Sequence, residues 1–114
     1  MPLILHIAER PAWQAAQATS SYRHPSLDGE GFIHCSLPHQ LIWVANTFFK
    51  GQQGLVLLCI ASERLHAELR YDEVGDQRFP HIYGEINLDA IQQILDFEPR
   101  ADGEFELPIG LEVS

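Results

Sequence analysis

The chain is poor in positive charge. It holds a single lysine, Lys50, and its arginines are scattered, against a formal net charge of −9. A surface that tracks phosphates needs clustered Lys and Arg. Their absence argues against nucleic acid as the main partner, and against an anionic membrane. The acidity is read as serving solubility. No apolar run reaches the length of a bilayer span; the longest, Leu55 to Ala61, is the size of one strand. The N-terminus has no basic segment ahead of a long apolar stretch, so no export signal is expected and the reading is cytoplasmic. Cysteine is scarce too. Cys35 and Cys59 lie in apolar runs and read as reduced, buried thiols. CxxC, HxH and HExxH spacings are missing, so no metal site is expected. GxSxG, GxxxxGK and GxGxxG are missing as well, which removes the nucleophile-elbow, P-loop and Rossmann readings.

What is present fits one domain over residues 1–114, with an ordinary apolar share of 46%. Leu3 to Ala8 is a nearly continuous apolar strand, which implies burial on both faces. Pro11 opens a helix that runs to about Ala18. Tyr22 to Glu30 reads as a long loop with a turn at Asp28-Gly29. Gly31 to Cys35 is a strand. Ser36 reads as the N-cap of the next helix, with Pro38 in its first turn and Leu41, Val44, Ala45 and Phe48 as its core stripe. Leu55 to Ile60 is a central strand. Ala67 to Val74 and Phe79 to Gly84 are strands either side of a Gly75-Asp76 turn. Asp89 caps a short helix over residues 90–93, Ile94 to Phe97 returns as a strand, and Phe105 to Leu107 adds an edge. The fold class is α+β, with helices mostly from the N-terminal half.

Two stretches carry the candidate chemistry. Strand alternation along Gly31-Phe32-Ile33-His34-Cys35-Ser36 puts Phe32, His34 and Ser36 on one face. Phe79-Pro80-His81-Ile82-Tyr83-Gly84 repeats the arrangement, with His81 and Tyr83 on one face. Each histidine is followed two positions later by a hydroxyl. Imidazole titrates near neutral pH, so His34 and His81 are the candidate acid–base groups. Ser36 at a helix N-terminus would also offer a seat for phosphate or carboxylate. Tyr83 offers a ring face, Gly84 permits close approach, and His6 could enter the same cleft from the first strand. A cysteine nucleophile is disfavoured, because alternation turns Cys35 away from His34 and Cys59 lies in an apolar run.

These strings, with Trp13, Asp28-Gly29, Gln40, the Leu55–Ile60 strand and Leu88-Asp89-Ala90, resemble the bacterial family called domain of unknown function 952 over nearly the whole chain. The resemblance implies an ADP-ribosyltransferase-like fold, a split, mainly antiparallel sheet with a nucleotide in its central cleft. It implies a small-molecule ligand such as NAD or an ADP-ribose derivative, with transfer or hydrolysis at the nicotinamide ribose. His6 could match the family's first-strand position, and His34 and Ser36 its second strand. Glu85 stands where a late catalytic glutamate would be sought, but the family commonly has proline there and the role does not transfer. A non-catalytic ligand sensor is the alternative, and a metal-assisted hydrolase built on the histidines a third.

Overall fold

The computed structural model describes residues 3–111. Strand β1 (Leu3–Glu9) leads into helix α1 (Arg10–Thr19), which opens on Pro11 as expected. A two-residue strand β2 (Ser21–Tyr22) and one helical turn α2 (Ser26–Gly29) follow. Then come β3 (Ile33–His34), a 3-10 turn over Pro38–Gln40 and helix α3 (Leu41–Phe48). The second half is strand-rich: β4 (Leu55–Ala61), β5 (Glu68–Val74), β6 (Gln77–Tyr83), β7 (Ile86–Asn87) and β8 (Ile91–Phe97).

All the pairings are antiparallel. One sheet has the order β1-β4-β8, a second β3-β6-β5, and β2 pairs with β7. The sheet is therefore split. β4 is its most enclosed strand, buried along its whole length. Its alternation explains the continuous apolar run. Val56, Leu58 and Ile60 pack with Ile4, Ala8 and Ala16 on the α1 side. Leu55, Leu57 and Cys59 pack with Leu5, Leu41, Ala45 and Phe97 on the α3 side. A strand covered on both faces has no polar side to show.

Several local expectations are corrected. Ser36 is not a helix N-cap. It sits in an isolated bridge to Leu5, and Leu37 precedes the 3-10 turn instead. Its N–H is taken by the Leu5 carbonyl, so the expected anion seat does not form. Phe48 leaves the core stripe of α3 and is largely exposed. The long loop holds β2 and α2, because Tyr22 pairs with Ile86 and the Ser26 carbonyl takes the N–H groups of Glu30 and Gly31. Asp89 lies inside a 3-10 turn (Leu88–Ala90), and β8 begins at Ile91 rather than Ile94. Phe105 packs against Phe97 as a core residue and is not in a strand.

Candidate functional site

β1 reaches the second sheet at one rung only. The Leu5 N–H donates to the Ser36 carbonyl and the Ser36 N–H to the Leu5 carbonyl, both at 2.8 Å. Beside that rung the sheets part, and a cavity of about 550 Å³ opens. This is the size of a small-molecule site. β1 lends it His6; the segment around β3 lends Phe32, His34 and Ser36; β6 lends Phe79 and His81. α3 supplies Trp43 and Phe48 at the mouth, both more than half exposed. Gly31, at φ +90°, turns the chain into this wall.

His34 and His81 are directly opposite in the β3–β6 ladder, and their ring centroids stand 5.5 Å apart. Each ring is held by a carboxylate. His81 Nδ1–H donates to Asp72 Oδ2 at 2.8 Å. A carboxylate only accepts, so the neutral ring keeps its proton on Nδ1 and its lone pair on Nε2. The Tyr83 hydroxyl donates to the same oxygen. These two bonds hold the Asp72 carboxyl below its usual range, and the carboxylate pushes the Tyr83 phenol up. His34 Nε2–H donates to Glu30 Oε2 at 2.8 Å, and that bond lowers the Glu30 carboxyl. Phe32 stacks on His81 with centroids 4.0 Å apart and ring planes 17° apart.

His6 forms the floor. Its Nδ1–H donates to the His34 carbonyl at 2.6 Å, and its Nε2 accepts from the Tyr22 hydroxyl at 2.9 Å. Burial lowers its pKa to about 4, although the bond to the His34 carbonyl acts the other way. His24 packs edge-on against it, 5.4 Å between centroids. The Ser26 N–H donates to His24 Nδ1, which leaves the neutral ring's proton on Nε2. Burial also lowers the His24 pKa.

Of the candidate residues, His6, His34, Ser36 and His81 line the cavity. Tyr83 and Gly84 do not. The Tyr83 ring lies under the Arg70 guanidinium, 4.6 Å from it, and its hydroxyl is spent on Asp72. Gly84 faces Ala67, where a Cβ would come within 2.9 Å of the alanine Cβ. Glu85 accepts from the Ser21 hydroxyl, outside the cavity. Cys35 touches the cavity, but burial pushes its thiol up and away from a thiolate. Among the described residues, no three His, Cys, Asp or Glu side chains could hold a metal ion. Sequence reasoning missed Glu30, His24 and Asp72. Asp72 alone had a readable signal, because a two-residue turn at Gly75-Asp76 sets the register that puts it on the His81 face.

Fold and cavity define a small α+β domain with a half-open, histidine-walled pocket. The chain matches, over residues 7–94, the family described as protein of unknown function (DUF952), and it belongs to that family. It is similar to protein CC0527 of Caulobacter crescentus, whose crystal structure is 34% identical, covers 92% of this chain and 94% of that one, and superposes with a TM-score of 0.84. The solution NMR structure of the same protein is 33% identical over 94% of each chain, with a TM-score of 0.81. No curated protein matches the chain.

Proposed function

We propose that the domain binds a nucleotide-like small molecule in the split between its sheets, with NAD or an ADP-ribose derivative as the representative ligand. Two enclosed polar atoms support this reading. His81 and Ser36 are 4% and 2% exposed, and both line the cavity. Among the described residues His81 Nε2 and Ser36 Oγ have no protein partner, yet no sealed side-chain atom is left unpartnered, so both open to the cavity. Water meets such open groups, and a ligand that displaces it must replace those hydrogen bonds. A ligand bearing an amide or a hydroxyl would meet both. The apolar wall around them suits a planar ring. The split antiparallel sheet is compatible with an ADP-ribosyltransferase-like arrangement, and on that reading a nucleotide is favoured over other planar ligands.

As an enzyme, the domain would act at the nicotinamide ribosyl bond. Water adds to the anomeric carbon, the carbon–nitrogen bond breaks, nicotinamide leaves, and His81 Nε2 takes the proton that water releases. In a transfer reaction an acceptor hydroxyl replaces water. A non-catalytic sensor is the second reading. One observation favours it: Glu30, the one carboxylate on the cavity wall among the described residues, is held by His34 rather than free.

Heteronuclear NMR titration with NAD and with nicotinamide tests the binding. The His34 and His81 ring signals shift saturably, and His81→Ala or Ser36→Ala weakens binding by about tenfold or more. Flat titrations with both ligands at millimolar concentration would overturn the proposal. Nicotinamide release, measured over hours with NAD in excess, then separates the enzyme from the sensor.

A further inference from the structure

The charge of the cavity points to a narrower ligand class. No lysine or arginine lines it, and Glu30 is the one charged side chain on its wall among the described residues. Arg10, Arg23 and Arg70 are engaged by carboxylates: Arg10 by Asp96, Arg23 by Asp28, Arg70 by Glu68. A phosphate inside the cavity would therefore face a carboxylate and no cationic side chain of lysine or arginine, with only the Ser36 hydroxyl and imidazole N–H groups to replace its water. Aromatic faces, by contrast, attract a cation through their electron-rich centres. Phe32, Phe79, Trp43 and Phe48 all border the space. At its inner end His81 Nε2 is a hydrogen-bond acceptor, since Asp72 holds the proton on Nδ1. The cavity thus combines a negative mouth, aromatic sides and an acceptor at its end.

We infer that the cavity selects a positively charged flat heterocycle carrying an N–H donor, such as an N-alkylated pyridinium carboxamide, and excludes anionic rings. Any phosphates on the ligand stay outside in solvent. This rests on the ligand-pocket reading above and adds the charge class to it. Glu30 sets the charge preference from the mouth, and Phe32, already stacked on His81, supplies the ring face.

Three rings of nearly one shape isolate charge: N-methylnicotinamide (cationic), nicotinamide (neutral) and nicotinate (anionic). Calorimetry at pH 7.5 gives their relative affinities. The expected order is cation, then neutral, then anion, with about three- to tenfold between successive members. Glu30→Gln narrows the spread towards unity, read as the ratios among the three rings within the variant. Phe32→Leu weakens the cation more than the neutral ring. Equal affinities, an anion that binds best, or a spread that survives Glu30→Gln would overturn the charge inference and leave the pocket reading standing. Failure of all three rings to bind would overturn both.

Discussion

His6 is a buried base whose neutrality the fold requires, so it ties stability to pH. Its folded pKa is about 4, mainly through burial, against about 6.5 for an unfolded histidine. Between those values the unfolded chain carries a proton on this ring that the folded chain does not. Unfolding then takes up a proton, and acid favours it. The stabilisation is complete above about pH 6.5 and is lost as the pH falls towards about 4. Below that both states are protonated and the loss is constant. At about 1.36 kcal/mol per tenfold, the whole loss is about 3 kcal/mol, and about 1.4 kcal/mol of it is gone by pH 5.5. Domains of this kind are stable by about 5–15 kcal/mol, so the effect is large enough to read.

Urea unfolding at pH 7.5 and pH 5.5 measures it, comparing the natural chain with His6→Asn. Asparagine keeps an N–H for the His34 carbonyl but does not titrate. The variant starts less stable, since it gives up the Tyr22 hydroxyl, and only the change with pH is compared. The natural chain should lose about 1.4 kcal/mol more than the variant between the two pH values. Other groups also respond: His24 with the same sign, and Glu30 and Asp72 at lower pH, where their depressed carboxyls take up protons. They remain in both proteins, so the difference isolates His6. Parallel losses, or a His6 ring titrating near pH 6.5 by NMR, would refute the reasoning.

Gly84→Ala should lower stability by about 1–3 kcal/mol by overpacking against Ala67, and Ala67→Gly should restore it in chemical denaturation. Leu58→Ala, in the centre of β4 and wholly buried, should cost about 2–5 kcal/mol, whereas Trp43→Ala at the exposed mouth should change the urea midpoint little. Burial pushes the Cys59 thiol up to about 12 and raises that of Cys35 as well, so a disulfide reagent at pH 8 should label neither until urea unfolds the chain; prompt labelling of the folded protein would contradict their burial.

The strands were legible where their neighbours were simple. β1 and β4 are almost wholly apolar, and cover on both faces explains that pattern, although only β4 is central and β1 lies at the edge of its sheet. The β5–β6 hairpin was legible from its Gly75-Asp76 turn, and its register followed from the turn. Ser36 was not legible. A serine ahead of a proline looks like a helix cap, and only Leu5, thirty-one positions earlier, turns it into a bridge residue. A tertiary hydrogen bond outweighed a local preference there. Phe48 failed for a related reason: its period matches the core stripe of α3, but that end of the helix borders the cavity, where Phe48 meets Trp43 edge-on and stays largely exposed. Glu30 meets His34 across the bend at Gly31, and no helix or strand period governs that contact.

The cavity and the floor histidine have one origin. Leu5 and Ser36 pair at 2.8 Å, and continuing that antiparallel register would pair Ile7 with His34. Alternation supports this: the Cys35 N–H points to β6, so the backbone of His34 points to β1. The Ile7–His34 rung is not among the pairings of either strand. The two strands have parted, and the His34 carbonyl would be left without a donor. His6 Nδ1–H takes that place at 2.6 Å. A side chain thus replaces a backbone rung, holding the His34 strand against β1 while keeping the backbones apart. An apolar residue at this position would leave two routes: an unmet carbonyl, or closure of the rung with loss of the cavity. The imidazole is long enough to span the gap and polar at both ends, and the Tyr22 hydroxyl meets its far nitrogen. The pocket is therefore a consequence of how β1 divides its hydrogen bonds between two sheets, and His6 is the residue that makes the division stable.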